Sequence, residues 1–269
     1  MSATLIAELL ALGVVVGFLA GLLGIGGGMM IVPVLSMLLA RRGVEPGLAL
    51  KVSIATAMAT ILFTALASLR AHHRLGAVRW GVVRTLSPGI VAGGLLAGGA
   101  AFPLLKGPGL ALLFALFVGL TSLQMMRGKP PRPGRELPGA AGLAGVGLGI
   151  GFLSGLLGAG GAFLAVPFMT WCNVPPRQAV GTGAAIGMPV AAASTLGYMI
   201  AGWHLPPPLP GSIGYLYLPA LVVMATASTL LAPYGARMAH RIDVGLLRKL
   251  FAGLLMVLAV VMVRRVWAG

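Results

Sequence analysis

Charged residues divide this chain into seven long charge-free stretches, at 9–40, 52–69, 85–105, 107–126, 137–176, 178–236 and 250–263. Several exceed the roughly 20 apolar residues that cross a bilayer as a helix. Read as apolar runs, the chain predicts helical elements over 5–40, 47–69, 81–102 and 108–126. The segment RGKPPRPGREL, residues 127–137, is Pro-rich and charged and marks a boundary. The pattern then restarts, with elements over 139–172, 178–201, 214–233 and 246–263. The expected fold is therefore an all-α integral membrane protein with one transmembrane domain. It holds a first repeat over 1–126, a linker at 127–138 and a second repeat over 139–269, with about eight apolar elements in total.

The duplication is written most plainly in one line. GFLAGLLGIGGGMMIVP at 17–33 and GFLSGLLGAGGAFLAVP at 151–167 share 11 of 17 positions, 134 residues apart. Each copy interrupts the first element of its repeat, at Gly24–Gly28 and at Gly158–Gly161. The N-terminal run does not resemble a signal peptide, because no cation precedes it, Glu8 interrupts it and it is too long for an h-region. Residues 5–40 are read as mature structure.

Loop charge decides between two arrangements of the repeats. If each broken element crosses once, ten Lys/Arg fall on the side of the basic 70–84 loop and nine on the other, which is no bias. If each turns back at its glycines, the repeats are inverted and the split becomes thirteen against six. The thirteen include Arg70, Arg74, the linker cations, Arg177 and Arg237; the six are Arg41, Arg42, Lys51, Lys106, Arg264 and Arg265. An excess of cations on the cytoplasmic side favours the second arrangement. It predicts inverted repeats in the inner (plasma) membrane, with the first element of each broken or re-entrant.

Composition agrees with a membrane protein. The chain is 58% hydrophobic and only 9% charged, with a mean hydropathy of +1.01, whereas about a quarter of a soluble globular chain is charged. The net charge of +15 comes from cations scattered over short loops, which excludes a nucleic-acid surface. Acids are confined to Glu8, Glu45, Glu136 and Asp243, so a pathway through this chain suits an anion better than a cation. One cysteine, Cys172, permits no intramolecular disulfide.

The glycines divide into two groups. Gly13, Gly17 and Gly21, and again Gly147, Gly151 and Gly155, recur every fourth residue, the spacing that lets helices approach closely in lipid. The clusters Gly24, Gly26, Gly27, Gly28 and Gly158, Gly160, Gly161 are too dense for such a stripe. Each glycine costs a helix about 1 kcal/mol relative to alanine. Unwound backbone at membrane depth is tolerated where it lines a protein-buried or water-filled cavity. A broken helix also presents backbone N–H groups and a positive dipole end at the break. Two breaks, one from each inverted half, would face one site near the midplane. A nucleotide fingerprint is excluded, because Met29 stands where G-x-G-x-x-G needs glycine.

The line G-F-x-x-G-L-L-G-x-G-G-[GA], ending in Val-Pro and present once per half, resembles the TauE/SafE sulfite exporter family of membrane permeases. AVGTG at 179–183 and HHRLGAVRW at 72–80 are similar to further family stretches. The first-half counterpart, ALKVSIAT, departs from the pattern with Lys51 in place of Gly181. The resemblance implies transport of a small sulfur-containing anion of the sulfite, sulfonate or thiosulfate class, the substrate differing between members.

Lys51 begins an apolar helix beside the expected site; it is either an anion contact or a side chain snorkelling from the helix end. Ser53, Thr56, Thr182 and Gly183 follow on the same elements. Their hydroxyls could donate to an oxyanion or bond back to helix carbonyls. His72 and His73 read as a solvated loop, and His204, Trp80, Tyr215 and Tyr217 as interfacial anchors. Glu8, only a few residues from the start, reads either as exposed at the membrane surface or, if buried at depth, as the carrier of a coupling proton. No metal, cofactor or enzymatic constellation is expected. The partners are a small anion and the bilayer, with a homo-oligomer open. Secondary transport by alternating access is the preferred reading. A membrane assembly or accessory protein, or a passive anion channel, is the alternative.

Overall fold

Both glycine-rich lines end a helix and start another. In the computed structural model, which describes residues 2–23, 27–127, 134–238 and 244–268, α1 (Ala3–Leu23) is followed by α2 (Gly28–Ala40). In the second half α7 (Ala140–Leu157) is followed by α8 (Ala162–Trp171). Between them run α3 (Pro46–Arg74), α4 (Trp80–Leu95), a π-helical turn (Leu96–Ala101), α5 (Phe102–Leu104) and α6 (Gly107–Arg127). The second half continues with α9 (Pro176–Gly202), α10 (Leu218–Met238) and α11 (Val244–Ala268). Among the described residues seven helical segments, including a continuous Trp80–Leu104, are long and apolar enough to cross a membrane. The chain is an all-α, multi-pass membrane protein.

Each broken segment doubles back. Glu8, near the start of α1, accepts a hydrogen bond from Arg42, just past the end of α2, at 2.5 Å. In the second half Gly134 donates its N–H to the Trp171 carbonyl at 3.2 Å, and the Arg135 guanidinium lies 5.0 Å from the Trp171 ring centre. The chain therefore leaves each break towards the face it came from. α3 starts on the Glu8 face, where Glu45 caps it by accepting from the N–H groups of Gly47 (2.8 Å) and Leu48 (2.6 Å) and Pro46 fills its first turn. It ends at Arg74 on the opposite face.

The fourth-residue glycines make two matching ladders. Gly13, Gly17 and Gly21 of α1 pack on Met224, Ser228 and Ala232 of α10. Gly147, Gly151 and Gly155 of α7 pack on Leu86, Ile90 and Gly94 of α4. A Cβ on Gly17 would lie 2.8 Å from the Ser228 carbonyl carbon, and one on Gly151 would lie 2.9 Å from the Ile90 Cα. Only glycine lets these backbones touch, so packing is what this spacing encodes. Each ladder joins the first helix of one half to the second through-running element of the other. α3 crosses α9 at the centre, and α6 pairs with α11 at the side.

Two residues read as interfacial anchors are buried instead. Tyr215 and Tyr217 are 6% and 5% exposed. Residues 212–217 form a small antiparallel hairpin, pairing Ser212 with Tyr217 and Ile213 with Leu216, that folds back over the start of α3. Trp80 stays 39% exposed and donates its indole N–H to His73 at 3.3 Å.

Candidate functional site

The two breaks meet. A Cβ on Gly28, the first residue of α2, would collide with the carbonyl oxygen of Gly158 and lie 2.6 Å from the Ile61 side chain. Gly158 ends α7 in a left-handed conformation (φ +62°), and Gly27 precedes α2 in the same region (φ +70°). Glycine adopts this backbone freely where other residues are strained. Gly161 packs on α9, where a Cβ would lie 2.8 Å from Val190. Gly183 faces Val166 of α8 at the same separation. Gly24 and Gly26 lie outside the described residues.

A cavity of about 20 Å³ adjoins this junction, lined by Ala20, Gly21, Thr64, Ser68, Gly160 and Gly183 among others. It has room for about one water molecule. Among the described residues no charged side chain lines it; its polar groups are backbone amides, the Ser68 hydroxyl and the Thr64 hydroxyl, which donates to the Ile61 carbonyl at 3.1 Å. α2 and α8 both begin beside it, and the first turn of any helix has N–H groups without intrahelical partners. Such a site offers a small anion neutral donors and the positive ends of two helices, with no carboxylate to repel it. The sequence reading missed Thr64 and Ser68. Their signal was a hydroxyl every fourth residue at 60, 64 and 68 within an apolar run.

The other predicted residues have contacts of their own. Ser53 donates back to the Ala49 carbonyl at 2.6 Å. Thr56 accepts from the Tyr217 N–H at 3.1 Å, and Thr182 accepts from the Arg79 N–H at 3.0 Å. Tyr217 and Arg79 immediately precede α10 and α4, so these hydroxyls pin the starts of two corresponding helices. Lys51 donates to the Pro103 carbonyl at 3.2 Å, with its ammonium 5.8 Å from the ring centres of both Phe102 and Tyr215. It lies ten positions before Ile61 on α3, about 15 Å along the helix, so it does not reach the cavity.

Ionisable groups near the faces follow their burial. Burial pushes the Tyr215 and Tyr217 hydroxyls above the usual tyrosine range, Arg42 partly offsetting this at Tyr217. The buried Cys172 thiol is likewise pushed up, against a smaller opposing pull from Arg135. Among the described residues no His, Cys, Asp or Glu cluster could hold a metal.

The model of the family described as sulfite exporter TauE/SafE matches residues 9–262. A probable membrane transporter protein of Haemophilus influenzae is 33% identical over 258 residues, covering 96% of this chain and 97% of the relative. Bacillus subtilis has a probable membrane transporter protein 30% identical over 236 residues, 80% of this chain and 82% of that one. A third, from Methanocaldococcus jannaschii, is 24% identical over 262 residues and covers 94% of both chains. No solved structure matches.

Proposed function

From the premise that this chain belongs to the sulfite exporter TauE/SafE family, we propose that it is a secondary transporter of a small sulfur-containing anion, bound where the two glycine breaks meet. The observation that carries this reading is the contact of Gly28 with the Gly158 carbonyl beside a cavity that no charged side chain among the described residues lines. Gly27, Gly28, Gly158, Gly160, Gly161 and Gly183 form the backbone of the site, and Ser68 adds a hydroxyl donor. Gly24 and Gly26 complete the first break in sequence.

The doubled-back segments support inverted repeats. With α1–α2 and α7–α8 returning to their own faces, each half keeps three through-running elements, an odd number, and the halves are oppositely oriented. The positive-inside count then puts the Arg74 face in the cytoplasm. A cavity with room for about one water is smaller than a sulfur oxyanion. Binding therefore requires the surrounding helices to part, as alternating access does.

The test is ligand-induced stabilisation of the purified protein across sulfite, thiosulfate and sulfonates. The reading predicts a thermal shift with at least one of them, rising with concentration. No shift with any member of the panel contradicts it.

A further inference from the structure

The repeats give every residue around the cavity a counterpart. The offset is 134 residues for the broken segments and 130 for α3 against α9, set by Pro46–Ala49 against Pro176–Ala179. It is 138 for α4 against α10, where Leu86, Ile90 and Gly94 meet the α7 ladder as Met224, Ser228 and Ala232 meet that of α1. Gly21, Thr64, Ser68 and Ala232 at the cavity thus correspond to Gly155, Ser194, Tyr198 and Gly94 at a second place, nearer the Glu8 face.

That second place is filled. Tyr198, fully buried where the first half has Ser68, donates its hydroxyl to the Gly155 carbonyl. Its ring lies 4.6 Å from that of Phe102, which lies 5.4 Å from Tyr215. The Lys51 ammonium sits over both Phe102 and Tyr215. The π-helical turn directly precedes Phe102, and a Cβ on its Gly98 would lie 3.2 Å from the Tyr198 ring. Only a glycine backbone leaves that ring its place.

On the Arg74 face the counterparts of Tyr198, Tyr215 and Lys51 are small. Ser68 stands for Tyr198, Ala77 for Tyr215 and Gly181 for Lys51, and Ala77 packs directly on Gly181. The same architecture therefore ends in a cavity on one side and an aromatic plug on the other. Resting on the proposed alternating access, we infer that Tyr198, Phe102 and Tyr215, held together by Lys51, form the gate that closes the pathway towards the Glu8 face. Opening requires Tyr198 to leave the Gly155 carbonyl and α9 to part from α7. Lys51 is then exposed at the mouth as a fixed positive charge for an arriving anion, which gives this lysine a role that its distance from the cavity denies it in the closed state. The departure from the family pattern at position 51 belongs to this gate.

The test is modification of a buried thiol by a membrane-impermeant maleimide applied from the Glu8 face of oriented vesicles. A Cys172→Ser, Ser194→Cys protein reports access past the plug. Replacing Tyr198 by its counterpart, Tyr198→Ser, raises the labelling rate about tenfold, and Tyr215→Ser moves it in the same direction. Tyr198→Phe, which keeps the ring, stays within a few-fold of the parent. Tyr215 lies outside the long helices, so Tyr215→Ser decides the question if Tyr198→Ser fails to fold. Unchanged labelling in the folded tyrosine-to-serine variants overturns the gate. Labelling needs no substrate, so this result is independent of whether sulfite proves to be the cargo.

Discussion

At the residue scale, the ladder glycines and the two pinning threonines carry separable energetic roles. Gly17→Val or Gly151→Val drives a side chain into the facing backbone of Ser228 or Ile90. Overpacking of this kind costs about 1–3 kcal/mol, so each variant lowers the unfolding temperature in detergent. Gly145→Val is the control, because a Cβ there meets nothing within 4 Å, and it leaves stability nearly unchanged. Thr182→Val strips the part-buried Arg79 N–H of its acceptor, costing about 0.5–1.5 kcal/mol, the net worth of a typical hydrogen bond. Thr182→Ser restores most of that loss in the same melting experiment. Cys172 offers a pH readout. Its thiolate, the reactive form, appears at higher pH than in an exposed cysteine because burial disfavours the charge. Maleimide modification of the native protein therefore keeps rising above pH 9.0, the usual thiol value; a profile that levels off below it contradicts the buried placement.

At the element scale, the doubled-back breaks fix the orientation of everything after them. Position 72 lies near the end of α3 on the Arg74 face, and position 206 follows α9 towards the Glu8 face. In a Cys172→Ser background, His72→Cys and Pro206→Cys are labelled from opposite sides of the membrane; labelling from one side contradicts the inverted arrangement. Much of this was legible in the sequence. The dense glycine clusters forecast the breaks and the fourth-residue glycines forecast the ladders, while loop charge favours the inverted repeats that the labelling experiment tests. The facing partners were only partly legible: α4 returns Gly89 and Gly93, also four apart, onto Ala144 and Leu148 of α7, whereas α10 meets α1 with Met224, Ser228 and Ala232, which form no glycine stripe. Tyr215 and Tyr217 misled for a similar reason. A tyrosine near a helix end reads as an anchor, and only the short hairpin at 212–217 turns both rings inward.

At the scale of the whole molecule, the two halves exchange partners: α1 pairs with α10, and α7 with α4. The most extensive helix contacts all join one half to the other, and the proposed site sits where both contribute. The sequence pointed to the breaks as that site but also to Lys51, Ser53, Thr56 and Thr182, which share its helices. Helical rise separates Lys51 from the cavity, and the hydroxyls of the other three engage backbone groups, which a linear reading cannot distinguish from ligand contacts. The central claim is that a sulfur oxyanion passes through the junction of the two breaks. Gly161→Leu tests it most directly, because Gly161 has ordinary helical backbone (φ −54°) and the nearest neighbour of its Cβ is the movable Val190 side chain. The measurement is radiolabelled sulfite exchange in proteoliposomes holding the wild-type or the variant protein. The account predicts exchange by the wild type and its loss in a Gly161→Leu protein that still inserts and melts cooperatively. Exchange at the wild-type rate in that variant contradicts it.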